Sequence, residues 1–177
     1  MKVLVIVDMQ NDFIDGSLAN TKGKEVLDSV IKEIHKDYDA FLLTRDTHEA
    51  NYLNTLEGKN LPIEHCIVNT DGWKINDSLM NEIETINKPY KIFDKNGFGS
   101  YDLIDYLKGL NDDIESITIV GLCSDICVIT NALLLRAQFP NLTLYYVADA
   151  MFATTSDNQD ASIKILNACQ IYENKGI

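Results

Sequence analysis

The chain has little positive charge for its size. Of its 177 residues, 15 are Lys or Arg and 27 are Asp or Glu, which gives a formal net charge of −12. Binding to a phosphate backbone depends on clustered Lys and Arg, so this balance argues against a nucleic acid partner. The sequence also has no stretch close to the ~18 consecutive apolar residues that a membrane span needs. We therefore expect no membrane partner either.

Signals for export are also missing from the sequence. MKVLVIVDMQNDF (1–13) reaches Asp8 before an apolar signal-peptide core can form, and no cleavage site of small residues follows. Four cysteines without such a signal are expected to be reduced thiols, not a disulfide framework. These observations predict a cytoplasmic protein. Because composition does not shift along the chain, residues 1–177 are predicted to form a single domain.

Apolar, β-rich runs alternate with amphipathic helical patterns along the chain. Strands are predicted at 2–8, 40–46, 91–95, 116–121 and 142–149, and helices at 23–37, 75–86, 101–110, 126–137 and 158–170. This alternation predicts an α/β fold, a three-layer α/β/α sandwich with a mainly parallel, Rossmann-like sheet. The stretch 47–73 has no clear periodicity and is too long for an ordinary connection, so a functional loop region is expected at about 46–75.

Reactive side chains fall at the carboxyl ends of the predicted strands. Asp8, Asp46 and Lys95 each end an apolar run, and the segment CSDIC (123–127) follows another. In open parallel sheets the ligand site lies beyond these strand ends. We therefore expect these residues to converge on one site.

Cys127 is a candidate nucleophile. It falls near the first turn of a predicted helix, where unpaired N–H groups and the helix dipole stabilise a thiolate and can bind an oxyanion. Asp8 could take its proton and Lys95 could hold the resulting charge, if the sheet order brings them together. The alternative is a small buried apolar residue. A zinc site built on Cys123 and Cys127 is less favoured, since no second ligand pair lies nearby.

A second group of polar residues lies in the loop region. Asp46 and His48 form a D-x-H motif, and side chains two apart in an extended segment point the same way. Nitrogen and carboxylate ligands suit Zn²⁺, Mn²⁺ or Fe²⁺. The alternative is a surface loop with incidental polar residues.

Three segments together resemble the signatures of the isochorismatase-like cysteine hydrolases, a superfamily that includes the nicotinamidases. They are VIVDMQNDF (5–13), K-x2-F-x-S (95–100) and G-x3-D-x-C-V (121–128). The similarity runs over essentially the whole chain in the same order. It implies the isochorismatase-like hydrolase fold and an amidohydrolase that acts on a linear amide C–N bond.

The same resemblance assigns roles to the candidate residues. Asp8, Lys95 and Cys127 would form the catalytic triad. A cis peptide is implied at Leu122–Cys123, and the backbone N–H groups of Cys123 and Cys127 would form the oxyanion hole. Cys123 stands where family members usually have a small residue such as alanine, so we interpret it as a substitute for that residue and not as a second nucleophile.

The resemblance also reaches the loop region. Nicotinamidases bind a divalent metal through Asp-x-His and a later His that is often next to a Cys, which matches Asp46, His48 and His65. Zn²⁺ is the favoured ion, with Mn²⁺ or Fe²⁺ as alternatives. Such a metal would orient a ring nitrogen of the substrate while the thiol attacks.

Some family members add a carboxylate between the two metal histidines. Glu57 is the favoured candidate for it, and Glu49 and Glu64 remain open. Glu49 could also act on the metal through water.

Aromatic residues near these motifs are predicted to line the substrate pocket. Phe13 and Phe98 are candidate walls, with core packing as an equal alternative. Trp73 could line the pocket or cover the core. Many nicotinamidases have an aromatic residue and a proline just before the second metal histidine, whereas this chain has Leu61 and Pro62. This departure leaves the substrate less well defined than the reaction class.

These features lead to one functional hypothesis and one alternative. The hypothesis is a nicotinamidase that hydrolyses nicotinamide to nicotinate and ammonia through a cysteine thioester, as part of NAD salvage. The alternative is a related cysteine amidohydrolase that acts on another small amide, carbamoyl or ureido compound. The expected partner is a small-molecule amide, and a homo-oligomer is left open because relatives often assemble.

Overall fold

A computed structural model describes residues 1–110 and 113–175. Within these ranges the strands are β1 (Lys2–Val7), β2 (Ala40–Asp46), β3 (Tyr90–Lys95), β4 (Ser116–Leu122), β5 (Thr143–Phe152) and β6 (Tyr172–Glu173). The α-helices are α1 (Asn11–Ile14), α2 (Gly23–Ile34), α3 (Leu56–Asn60), α4 (Asp77–Ile86), α5 (Tyr101–Lys108), α6 (Ile129–Gln138) and α7 (Ser156–Ala168). A 3-10 turn covers Tyr52–Asn54, and a π-helical turn covers Ser124–Val128.

The six strands form one sheet in the order β3-β2-β1-β4-β5-β6. Every neighbouring pair is parallel. The chain moves outward from β1 to β3 and then crosses back to β4 on the other side of β1, so the strand order reverses between β1 and β4. In such sheets the ligand crevice forms at this reversal, beyond the carboxyl ends.

Two apolar layers cover the two faces of the sheet. Side chains alternate along β1, so Val3, Val5 and Val7 pack on the side of α5, α6 and α7. Leu4 and Ile6 pack on the side of α2 and α4. All five are fully buried, as expected for a central parallel strand covered on both faces. The predicted three-layer α/β fold with a parallel sheet is therefore confirmed.

The long regular elements match their predicted positions better than the short ones do. Helix α2 ends at Ile34, three residues before the predicted end. Asn76 caps α4, since its side chain accepts a hydrogen bond from the Ser78 N–H (3.0 Å). Helix α1, helix α3 and strand β6 were not predicted, because elements of two to five residues are too short to show a periodicity. Helix α3 lies inside the predicted loop region and is capped by Thr55.

Within residues 1–110 and 113–175, no helix has both the length and the apolar character needed to cross a membrane.

Candidate active site

Three of the predicted site residues meet because of the register of the parallel strands. Asp46 pairs directly with Lys95 across β2 and β3. Val7 pairs with Thr44 on one side and Gly121 on the other, so Asp8 leaves the sheet between β2 and β4. The ends of β1, β2 and β3 therefore place their polar side chains in one buried group.

Asp8 is fully buried just after β1 and adopts a left-handed backbone conformation (φ 49°). Its Oδ1 accepts a hydrogen bond from the Thr44 hydroxyl at 2.7 Å, and its Oδ2 lies 2.7 Å from Nζ of Lys95. The second contact is an ion pair without hydrogen-bond geometry. Burial raises the pKa of the Asp8 carboxyl, and the charge of Lys95 opposes that rise.

Lys95 lies at the centre of this group. Its Nζ is 2.7 Å from Asp8 Oδ2, donates to Asp46 Oδ1 at 3.1 Å and lies 3.6 Å from Sγ of Cys127. Burial alone would lower the pKa of Lys95, but the negative charges of Asp8, Cys127 and Asp46 raise it well above its usual value. Lys95 is therefore an ammonium ion that faces the sulfur.

Cys127 lies in the π-helical turn before α6 and is 7% exposed, at the wall of a cavity. Burial and the nearby Asp8 raise its pKa well above the usual value, against the effect of Lys95. A helix end was expected to favour the thiolate, and the burial of this turn outweighs that effect. The resting thiol is neutral and needs a base. We call Asp8, Lys95 and Cys127 the thiol half of the site.

The turn before Cys127 has the backbone that was predicted. A cis peptide joins Leu122 to Cys123. The Cys123 carbonyl accepts hydrogen bonds from the N–H groups of Ile126 and Val128, both at 3.1 Å. Burial raises the pKa of the Cys123 thiol to about 11, so this second cysteine is also a neutral thiol. The oxyanion hole itself stays a prediction.

Asp125, in the middle of this turn, has a structural task. Its carboxylate accepts hydrogen bonds from the backbone and hydroxyl of Thr154, at 3.1 and 2.6 Å, and from the Asn158 amide at 2.8 Å. These contacts tie the turn to the segment that begins α7. Asp125 therefore holds the turn around Cys127 in place from outside the cavity.

A second group, Asp46, His48 and His65, forms what we call the histidine half. All three residues are buried, and their candidate ligand atoms lie within 4.8 Å of one another. Asp46 Oδ2 is 2.9 Å from His48 Nε2 and 3.6 Å from His65 Nε2. Among the described residues, His48 Nε2 has no hydrogen-bond partner. A buried ring nitrogen without a partner, beside a carboxylate, fits a metal ligand.

Neighbouring groups orient these ligands. Nδ1 of His65 lies 2.9 Å from the Ile63 carbonyl, which fixes Nδ1 as the donor and leaves Nε2 free to coordinate. Burial alone would raise the pKa of Asp46. The nitrogens of His48 and His65 and the charge of Lys95 outweigh it and hold the Asp46 pKa well below its usual range. Asp46 is therefore a carboxylate.

Three glutamates, Glu49, Glu57 and Glu64, were candidates for a fourth ligand, and of these Glu57 approaches the cluster. Its Oε1 lies 3.8 Å from Nε2 of both His48 and His65. Glu49 and Glu64 are exposed and do not line the cavity. Ligands around a tetrahedral zinc lie roughly 3.3 Å apart. The separations between Asp46 Oδ2 and the two histidine nitrogens, 2.9 and 3.6 Å, bracket that value, so Asp46, His48 and His65 fit a zinc-like ion.

Both halves open onto one cavity of about 750 Å³. The predicted site residues in its wall are Phe13, Asp46, His48, Glu57, His65, Phe98, Cys123 and Cys127. Asp8 and Lys95 lie behind Cys127 and are not part of the wall. Leu18, Leu56 and Leu61 add aliphatic surface. The arrangement offers one thiol, one cation-binding cluster and mainly apolar walls to a small molecule.

The structure does not bring Trp73 to this cavity. Its indole N–H donates to the Thr47 hydroxyl at 2.8 Å, and the Arg45 guanidinium lies 3.5 Å above the ring. The attraction between the cation and the ring helps to fix its position. Trp73 is partly buried and packs against the apolar core, which is the second of its two predicted roles. Tyr52 is buried against the imidazole rings of His48 and His65, so it supports the histidines from behind.

Sequence reasoning missed Gln10, which holds Asp46 in position. Gln10 is fully buried. Its amide donates to the Asp46 carbonyl at 2.8 Å, and its Oε1 accepts from the Asp46 N–H at 2.7 Å. A polar residue two positions after Asp8, directly before α1, was the available signal.

Comparison with known proteins identifies the family of the chain. Residues 2–172 match the family described as Isochorismatase domain. The nicotinamidase of Saccharomyces cerevisiae is 28% identical, over an alignment that covers 75% of this chain and 80% of that protein.

Two solved structures share the fold. Yeast nicotinamidase Pnc1p bound to the inhibitor nicotinaldehyde superposes with a TM-score of 0.82 at 22% identity, over 98% of this chain and 99% of that one. Pyrazinamidase of Pyrococcus horikoshii in complex with zinc gives a TM-score of 0.78 at 21% identity, over 98% of each chain. The predicted isochorismatase-like fold is confirmed.

Proposed function

The chain belongs to the isochorismatase family of hydrolases, and we propose that it is a nicotinamidase that converts nicotinamide and water to nicotinate and ammonia. One observation carries the proposal. A buried thiol backed by a Lys–Asp ion pair opens onto the same cavity as an Asp-His-His cluster. The first group suits attack on an amide carbon, and the second suits a metal that positions the substrate.

The proposed reaction begins with proton transfer from Cys127 to Asp8. Asp8 is a suitable base because burial raises the pKa of its carboxyl, which makes its carboxylate more basic than that of an ordinary aspartate. The Lys95 ammonium, 3.6 Å from Sγ, stabilises the thiolate as it forms. The sulfur then bonds to the amide carbon, and the carbonyl π electrons move onto oxygen.

The tetrahedral intermediate collapses in the second step. The backbone N–H groups of Cys123 and Cys127 stabilise its oxyanion. The C–N bond breaks as Asp8 returns the proton to nitrogen, so ammonia leaves and a thioester remains on Cys127. Asp8 then takes a proton from water, whose oxygen attacks the thioester carbon. The C–S bond breaks, Asp8 returns the proton to sulfur, and the acid leaves and gives up its proton to solvent as nicotinate.

Asp46, His48 and His65, with Glu57 as the fourth ligand, would hold the metal ion. When bound, it would supply a Lewis acid that orients the pyridine nitrogen, directly or through water. Nitrogen and carboxylate donors favour Zn²⁺ over ions that prefer six oxygens. The zinc of the P. horikoshii pyrazinamidase supports this choice.

A reducing compartment suits this chemistry. All four cysteines are free thiols, Cys127 among them. A cysteine nucleophile must stay reduced to act, which supports the proposed cytoplasmic location. Fractionation of cells that express the chain, with detection of the protein in the soluble fraction, tests this location.

Another small amide is the second candidate substrate. The cavity is wide, and aliphatic Leu56 and Leu61 stand in its wall where a ring-stacking aromatic residue would favour pyridine. Amides with aliphatic acyl groups would fit such a wall. Relative kcat/KM for nicotinamide and a series of aliphatic amides separates the two candidates.

The test is ammonia release from nicotinamide by purified protein of known metal content. We expect turnover that disappears in Cys127→Ala and falls when the metal is removed by a chelator. Cys169→Ala is the matched control, since Cys169 is a free cysteine outside the cavity wall. Folded, metal-loaded protein that releases no ammonia from any amide in the panel would contradict the proposal.

A further inference from the structure

The side chain of Asn131, in the first turn of α6, joins the nucleophile turn to the segment that follows Lys95. It is fully buried. Its amide nitrogen donates to the Cys127 carbonyl at 2.8 Å and to the Phe98 carbonyl at 3.1 Å. Its oxygen accepts from the Ser100 N–H at 2.9 Å. The side-chain amide thus acts as both donor and acceptor, and it connects two separate parts of the chain.

A second, independent contact seats the same segment on α6. A Cβ atom added at Gly99 would lie 2.5 Å from Cδ1 of Leu134 and 3.0 Å from Cγ2 of Thr130. A side chain at position 99 would have to push the end of the Leu134 side chain aside, so this segment packs closely against α6. Ser100, next in the chain, is itself buried and caps α5 by accepting from the Leu103 N–H at 3.2 Å. The segment 96–100 is therefore fixed at both the α6 surface and the start of α5.

We infer that Asn131 is a positioning residue that sets the distance between Cys127 and the segment bearing Lys95 and Phe98. The inference rests on the proposed function, in which Lys95 stabilises the Cys127 thiolate. Asn131 does not line the cavity, so it acts only through its neighbours. Through Lys95 it sets the reactivity of the sulfur, and through Phe98 it sets one wall of the cavity.

Loss of the Asn131 amide would leave the carbonyls of Cys127 and Phe98 without this donor. The two segments would be free to separate, and Lys95 Nζ would move away from Sγ, from its present 3.6 Å. The thiolate would then lose part of its counter-charge. Because one pKa unit changes the thiolate population tenfold, we expect about a tenfold slower reaction of Cys127 with an alkylating agent.

The experiment measures alkylation of Cys127 by iodoacetamide at neutral pH, with the modified site located by mass spectrometry. Asn131→Leu removes all three hydrogen bonds and keeps a side chain of similar size. Asn131→Asp keeps the acceptor for Ser100 and removes the donors, and it serves if the leucine variant does not fold. Tyr38→Phe is the control for general destabilisation, since it removes a buried hydroxyl bonded to Glu33 and does not line the cavity.

The same substitutions are then made in a Lys95→Met background. If Asn131 acts through Lys95, its effect on alkylation is large in the wild-type background and absent in Lys95→Met. An unchanged rate in the wild-type background overturns the inference. The inference is also overturned if the Asn131 substitutions slow alkylation equally in both backgrounds, or if Tyr38→Phe slows alkylation as much as they do.

Turnover separates this inference from the proposed function. With an active amide, we expect Asn131→Leu to lower kcat through Lys95 and to raise KM through the Phe98 wall. Alkylation needs no substrate, so it tests the role of Asn131 even if nicotinamide is not cleaved. A protein that hydrolyses no amide but shows the Lys95-dependent alkylation effect contradicts the proposed function and supports the positioning role.

Discussion

The thiol half and the histidine half of the site share a cavity but differ in how their buried charges are balanced. In the thiol half, one ammonium ion, Lys95, lies within 4 Å of a carboxylate oxygen of Asp8 and of the Cys127 sulfur. In the histidine half, electron-pair donors face one another, and His48 Nε2 has no hydrogen-bond partner among the described residues. The first half is internally balanced, and the second has the character of a metal-binding site.

Asp46 connects the two halves. Its Oδ1 accepts from Lys95, and its Oδ2 faces the nitrogens of His48 and His65. One carboxylate thus serves the ion pair behind the nucleophile and the candidate metal ligands. In the proposed function the two halves divide the labour: the thiol half performs the bond chemistry, and the histidine half places the substrate.

The largest expected effect is the loss of the nucleophile. Cys127→Ala should reduce turnover by about 10³-fold or more, because it removes the thiol beside Lys95 that forms the thioester. Zinc affinity should stay at the wild-type value, since Cys127 belongs to the other half. Steady-state kinetics and a zinc competition titration measure the two quantities. A parallel loss of zinc affinity would contradict the division of labour.

Removal of the cation comes next. Lys95→Met leaves Asp8 and Asp46 buried without their counter-charge, which we expect to lower the free energy of unfolding by about 3–5 kcal/mol and turnover by about 10²-fold or more. Denaturant unfolding and kinetics check both. Lys91→Met, an exposed lysine on the same strand, is the control and should change neither quantity appreciably. Wild-type turnover in Lys95→Met would remove Lys95 from the mechanism.

The histidine half should control metal affinity. His48→Ala or His65→Ala is expected to weaken zinc binding by more than about 100-fold, since loss of a ligand exceeds the usual effect of an outer-shell change. His35→Ala is the control, because His35 is exposed and pairs with Glu82. Competition with a chromophoric chelator gives the affinities. Equal affinities in all three variants would place the metal elsewhere.

The smallest expected effect concerns the support of Asp46. Gln10→Ala removes two hydrogen bonds to the Asp46 backbone and should weaken zinc binding about 10- to 100-fold. The same titration measures it, and the alkylation rate of Cys127 should change less than the zinc affinity does. A larger change in the alkylation rate than in the zinc affinity would show that Gln10 supports the thiol half instead.

The fold was predictable because its signals are long and repeated. Buried strands such as β1 and β4 are mostly apolar and rich in β-branched residues, and α2 has clear amphipathic spacing. The proximity of Asp8 and Lys95 needed one further fact, the strand order. The sequence places them 87 positions apart, and only the β3-β2-β1 arrangement brings them together.

Details that depend on one contact could not be predicted. Trp73 is an aromatic residue near the site motifs, which made it a candidate for the pocket, but its ring packs against Arg45 and lies outside the cavity. Gln10 and Asn131 act through hydrogen bonds to the backbone of distant segments, which no local pattern shows. The roles of the predicted catalytic and metal residues remain predictions for the experiments above.

The most direct test of the account is to observe the thioester. Protein mixed with nicotinamide, quenched in acid within a single turnover and analysed by mass spectrometry should carry a nicotinoyl group on Cys127. The modification should be absent from Cys127→Ala and should disappear as turnover is completed. Release of ammonia with no acyl group on Cys127, under conditions where a control thioester survives the quench, would contradict the account.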